Sequence, residues 1–101
     1  MTAEVLDALG PDGVFVNIAR GWLVDEAALV RALREGRLGA AGLDVFEHEP
    51  QVPPALLELD NVVLTPHIAS NTEETMRAMG ECVLDNIRSW FAGKGAVTPV
   101  G

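Results

Sequence analysis

The sequence predicts an α/β fold built on three parallel strands, and three observations carry that prediction. Short runs rich in apolar and β-branched residues stand at 14–18, 40–45 and 61–65. Segments with helical apolar spacing lie before, between and after them. Each run is followed within a few residues by an ionisable side chain, namely Arg20, Asp44 and His67. The order strand, helix, strand, long loop, strand, helix implies right-handed crossovers and hence a parallel sheet.

Taken in order, Thr2 is placed to cap a short first helix with Val5, Leu6 and Leu9 on one side, which Gly10-Pro11 stops. Pro11-Asp12-Gly13 reads as a turn. The run 14–18 is almost continuously apolar, which predicts a strand covered on both faces. Asp25 caps the next helix, in which Leu29, Ala32 and Leu33 form the buried stripe and Gly36 marks the end. The second strand follows at 40–45. Residues 46–60 carry three prolines and one short helical possibility at 54–59. A connection of that length inside a compact domain is more often functional than accidental. After the third strand, Ser70 with Glu73 offers a capping box for the last helix. There Met76, Met79, Val83, Leu84, Ile87, Trp90 and Phe91 recur at three- and four-residue spacing and demand one wide apolar face, with Gly93 as the stop.

Composition excludes several classes of function. A chain of 101 residues is one domain at most, yet long enough to bury roughly two thirds of its unfolded surface. Its net charge of -8 argues against nucleic acid and anionic membranes, because affinity for phosphate backbones rests on Lys and Arg. No apolar run approaches the roughly 20 residues of a membrane span, and no secretory leader pattern opens the sequence. The single Cys82 cannot form an internal disulfide, reads as a small buried hydrophobe, and fits a reducing cytosol. A soluble, cytoplasmic protein is expected. Trp90 and Phe91 read as core or interface residues.

In open parallel sheets, ligands bind beyond the carboxyl ends of the strands. Arg20, Asp44, Glu49 and His67 closely follow strands and are expected to gather there. A carboxylate and an imidazole meeting at strand ends make a proton-transfer site. Taken singly, each has a plainer reading: Arg20 as a surface charge, Asp44 as a turn residue, Glu49 as a solvated loop acid, His67 as a structural histidine. His48 reads as a loop residue. Zinc binding by His48 and His67 is not expected, since no second ligand pair stands at metal-site spacing.

The ordered motifs Asn17-Ile18-Ala19-Arg20-Gly21 with Val24-Asp25, Gly42-Leu43-Asp44-Val45-Phe46 with Glu49-Pro50, and Thr65-Pro66-His67-Ile68 resemble those of the D-isomer-specific 2-hydroxyacid dehydrogenases. The resemblance runs from about residue 2 to residue 92. Within the family, residues 46–56 look most like the glyoxylate, hydroxypyruvate and hydroxyphenylpyruvate reductases, and Glu49 differs from the glutamine of the formate dehydrogenase branch.

The resemblance implies the C-terminal half of a Rossmann-like sheet, NAD or NADP as cofactor, and a small 2-oxo or 2-hydroxy acid as substrate. It implies that Arg20 binds the substrate carboxylate, its planar fork suiting two oxygens. His67 would be general acid for reduction and base for oxidation, and Glu49 would orient its ring and favour its charged form. Asp44 would contact the nicotinamide carboxamide. Ile18, Ala19 and Arg20, with His67, Ile68, Ala69 and Ser70, would lie along the cofactor.

The sequence also departs from the family. It contains no Gly-x-Gly-x-x-Gly, the turn that cradles a dinucleotide pyrophosphate, nor the residue that would choose between NAD and NADP. The expectation is therefore a partial NAD(P)-binding domain over 1–101, in which 70–92 is the helix that returns to a substrate domain absent here. Such a chain alone is expected to be inactive. With an unpaired strand at 14–18 and an uncovered last helix, it is expected to self-associate or to meet a missing N-terminal half. The alternative is a non-catalytic oligomerisation or docking module.

Overall fold

The computed structural model describes residues 1–100, which divide into two compact units, Met1–Ala69 and a second that begins at Ser70. In the first, the chain runs α1 (Ala3–Leu9), β1 (Val14–Asn17), a 3₁₀ turn (Gly21–Leu23), α2 (Glu26–Arg34), β2 (Ala40–Leu43), α3 (Pro54–Leu57) and β3 (Val62–Leu64). The three strands form one parallel sheet in the order β1-β2-β3. Val14 pairs with Ala40 and Asn17 with Leu43, while Ala41 pairs with Val62 and Leu43 with Leu64. All three strands therefore end on the same edge of the sheet.

The core joins α1 and α2 to one sheet face. Leu6 of α1, Leu29, Ala32 and Leu33 of α2, and Phe15, Ala41 and Leu43 of the sheet belong to one buried cluster, which Leu38 and Leu56 complete. Burying a leucine side chain fully contributes about 1.5–3 kcal/mol. As expected, Asp25 caps α2, its Oδ1 accepting the Ala28 N–H at 2.8 Å. Gly36 ends it with φ +67, a left-handed conformation that glycine adopts without steric cost, and the next two amides, of Arg37 and Leu38, return to the Ala32 carbonyl.

Several expectations are corrected. In α1 only Leu6 is buried; Val5 and Leu9 are exposed, and the Thr2 side chain makes no capping hydrogen bond although Thr2 occupies the N-cap. The helix is held instead by a backbone bond from Leu6 N to Thr2 O and by an ion pair from Asp7 to Arg37. In β1, Phe15 and Asn17 are buried while Val14 and Val16 are each 62% exposed. The strand is covered on one face, because both packed helices lie on the Phe15 side.

The second unit contains α4 (Glu73–Phe91). Its cap is Thr72, whose hydroxyl oxygen accepts the Thr75 N–H at 3.2 Å, rather than the Ser70–Glu73 box; Glu73 pairs instead with Arg77, one turn on. The wide apolar face is present, yet none of the helix's residues is buried. Cys82 is exposed, which overturns its reading as a buried hydrophobe, and Trp90 and Phe91 are exposed and so are not core residues. Asn86 clasps the chain after α4, accepting the Val97 and Thr98 amides at 3.0 and 3.1 Å. Among the described residues no helix is long and apolar enough to cross a membrane, and no cluster of metal ligands occurs.

Candidate active site

The strand ends deliver the side chains. Beyond β1, buried Asn17 shapes the loop that carries Arg20: its Oδ1 accepts the Ala19 N–H at 3.1 Å and its Nδ2 donates to the Arg20 carbonyl at 2.9 Å. The Arg20 guanidinium donates to the Ala19 carbonyl at 2.6 Å and forms no salt bridge among the described residues. Directly after β2 stands Asp44, 3% exposed. Its Oδ1 accepts the Thr65 hydroxyl at 2.5 Å and the Ile68 N–H at 2.9 Å, and its Oδ2 accepts the Ala69 N–H at 2.9 Å. The Thr65 hydroxyl and these two amides hold the Asp44 carboxyl below its usual value, outweighing burial, with a smaller contribution from His67.

His67 follows β3 with φ 55, a left-handed conformation uncommon outside glycine. The two amides that follow it are the ones fixed on Asp44, so that carboxylate stabilises the turn. The His67 Nδ1 lies 2.8 Å from Glu49 Oε2, while Glu49 Oε1 accepts the Phe46 N–H at 3.0 Å. The His67 hydrogen bond is the main cause that lowers the Glu49 pKa, followed by the Phe46 amide and, more weakly, the Arg20 charge. A deprotonated carboxylate only accepts, so Nδ1 carries the proton in this bond and Nε2 is the ring nitrogen left for a ligand.

Arg20, Glu49 and His67 border one open cavity of about 760 Å³, together with Trp22 and His48. Glu49 and His67 also line a second, apolar cavity of about 320 Å³ with Phe46, Val52, Leu57 and Leu64. The cation, the carboxylate and the imidazole expected from the sequence thus meet at one place, whereas Asp44 is buried behind them as a tie between β2 and the turn after β3. Of the residues expected along a cofactor, Ile18 is exposed in the Arg20 loop, and the amides of Ala19, Ile68 and Ala69 are occupied by Asn17 or Asp44. Ser70 belongs to the second unit. The Asp44 carboxylate uses three of roughly four acceptor positions, which leaves one for a further N–H donor.

Sequence reasoning missed Asn17, Gly21, Glu26 and Thr65. Asn17 and Thr65 carried a readable signal, a short polar side chain at a strand end. Gly21 is buried where a Cβ would lie 2.0 Å from the Phe46 carbonyl carbon, so only glycine lets these two loops touch. Glu26 Oε1 accepts the Glu47 N–H at 2.9 Å, a contact across 21 positions with no sequence signature.

Comparison with known proteins gives one family match and many relatives. Residues 1–69 match the model described as D-isomer specific 2-hydroxyacid dehydrogenase, NAD binding domain. The chain is 59% identical over 97 residues to hydroxyphenylpyruvate reductase of Plectranthus scutellarioides, covering 96% of this chain and 31% of that protein. It is 56% identical to a glyoxylate/hydroxypyruvate reductase A of Arabidopsis thaliana, with the same coverage. The crystal structure of the NADPH-dependent glyoxylate/hydroxypyruvate reductase of Sinorhizobium meliloti, in complex with NADP and malonate, superposes with a TM-score of 0.86 at 55% identity, covering 99% of this chain and 31% of that one. The chain therefore spans about a third of the length of these relatives.

Proposed function

The chain belongs to the D-isomer specific 2-hydroxyacid dehydrogenase family, and from that premise we propose that it is the catalytic third of an NAD(P)H-dependent reductase of small 2-oxo acids of the glyoxylate or hydroxypyruvate type, giving the D-2-hydroxy acid. The observation that carries the proposal is the His67–Glu49 pair at 2.8 Å, sharing a cavity with Arg20, which forms no salt bridge among the described residues. Arg20 binds the substrate carboxylate through its fork. His67 holds a proton at Nε2 for the new hydroxyl, and Glu49 fixes the ring through Nδ1 and balances the charge of its protonated form. The nicotinamide, when bound, supplies the hydride. Asp44 would accept from its carboxamide, with Ile18, Ala19, Arg20 and the stretch His67, Ile68, Ala69, Ser70 beside it. Residues 1–101 are then a partial NAD(P)-binding domain, and 70–92 the helix that packs on a substrate domain. The relatives' names and the NADP complex support this reading. A second reading, a non-catalytic oligomerisation module, draws on the exposed apolar face of α4.

The test grafts this chain onto the preceding two thirds of the Plectranthus hydroxyphenylpyruvate reductase. The chimera is expected to oxidise NADH or NADPH with hydroxyphenylpyruvate, while the chain alone is expected to be silent. His67→Ala or Arg20→Ala should lower turnover by about 10²–10⁴-fold, the range that positioned acid-base and charge stabilisation supply. A folded chimera with near-normal rates in either variant overturns the role assignments. A folded but inactive chimera favours the second reading.

A further inference from the structure

The peptide joining Phe46 to Glu47 is gripped from two directions. Gly21 approaches it so closely that a Cβ would stand 2.0 Å from the Phe46 carbonyl carbon and 2.3 Å from Glu47 N. Glu26 Oε1 accepts the Glu47 N–H at 2.9 Å. The gripped peptide leads directly into the active-site pair. Phe46 N donates to Glu49 Oε1, and the other oxygen of that carboxylate meets His67 Nδ1. Among the described residues, Glu26 is the one side chain from outside the 46–51 loop that bonds its backbone; within the loop, the Phe46–Glu49 bond is joined by a turn from Gln51 N to His48 O at 2.9 Å.

Helix stability does not require this arrangement. The neighbouring Asp25 already caps α2 through the Ala28 amide, and a first-turn carboxylate would favour the helix dipole while pointing into solvent. The Glu26 carboxylate is directed instead at a loop amide. We propose that Glu26 is a positioning residue for the Glu49–His67 pair: by holding the Glu47 amide it fixes the loop from which Glu49 reaches the imidazole. The inference rests on Glu49 and His67 being the acid-base pair, and it assigns Glu26 no contact with substrate or cofactor.

The experiment is nuclear magnetic resonance on the 101-residue chain, comparing E26A, E26Q and E26D with the unaltered protein. Two signals are read: the pH titration of the Glu49 side-chain carboxyl carbon and the ring ¹⁵N shifts of His67, which distinguish an Nδ1–H from an Nε2–H tautomer. Arg20, Glu47 and His48 border the same cavity as the pair, and Asp44 lies close enough to feel the charge of His67; all are common to every variant. In E26A the Glu49 midpoint should rise toward the ordinary carboxylate value and the Nδ1–H signature should weaken. E26Q keeps an acceptor oxygen at the same reach and should restore both signals. E26D, one methylene short of the Glu47 amide, is the milder break should E26A lose the fold, and it should move both signals in the same direction. The proposal is overturned if E26A or E26D frees the Glu47 amide while both signals stay in place, or if E26Q behaves like the break. Neither result touches the reductase reading, which the chimera tests through turnover.

Discussion

The Asp44 and Glu49 carboxylates join the loop after β2 to the loop after β3 by hydrogen bonds, and both have pKa values lowered in the folded chain, Asp44 chiefly by the Thr65 hydroxyl and Glu49 chiefly by His67. A group whose pKa is depressed on folding stabilises the fold above its unfolded value, about 4 for these residues, and loses that contribution as pH falls through the depressed value. Thermal stability should therefore be level near neutrality and decline below about pH 4. Asp44→Asn turns one acceptor into a donor facing the Ile68 or Ala69 amide, so Tm at pH 7 should fall and the acid decline should become shallower, the two curves converging at low pH. Equal Tm values at pH 7 with identical acid slopes would show that the carboxylate is dispensable. At this scale the sequence made Arg20, Asp44, Glu49 and His67 legible, because each follows a recognisable strand end. Thr65 showed only a short polar side chain at a strand end and Glu26 showed nothing, since the partners of both are chosen by how the loops fold back, which spacing along the chain does not record.

The elements explain how those loops come to meet. Gly21 opens the 3₁₀ turn after β1 against the backbone that leaves β2, and Gly21→Ala places a methyl inside the Phe46 carbonyl. Relief requires the two loops to part, so the cost should exceed the about 1–3 kcal/mol typical of an overpacked core and the Glu49–His67 contact should open. Urea unfolding reads the first and His67 ring ¹⁵N shifts the second; a variant as stable as the parent would show that the close approach is dispensable. Beneath this clasp, α2 supplies the support. Leu29 has no exposed surface, and Leu29→Ala should cost about 2–5 kcal/mol by the same unfolding measurement. The cap, stripe and stop of α2 could all be read from Asp25, Leu29 and Gly36, because those signals are local. The covering of β1 could not: the apolar run around Val16 records what a strand is able to bury, and the structure packs its helices on the Phe15 side alone.

For the whole molecule, two large apolar surfaces face solvent while the chain carries a net charge of -8. Val14, Val16 and Val63 lie exposed on the sheet, and Met76, Met79, Val83, Leu84, Ile87, Trp90 and Phe91 along α4. Apolar attraction draws copies together and like charge holds them apart, and salt acts on these in opposite ways. Repulsion between chains of the same sign is screened within about 10 Å at 0.1 M salt and about 3 Å at 1 M, whereas burial of apolar surface is not weakened. Self-association should therefore grow as salt is added, the reverse of an assembly held by ion pairs. Sedimentation at micromolar concentration should show mass rising from low to high salt. Ile87→Asp should suppress the rise if α4 forms the contact, and Val16→Asp if the sheet does. A chain that stays monomeric at every salt concentration would remove self-association altogether and leave these surfaces to a different polypeptide.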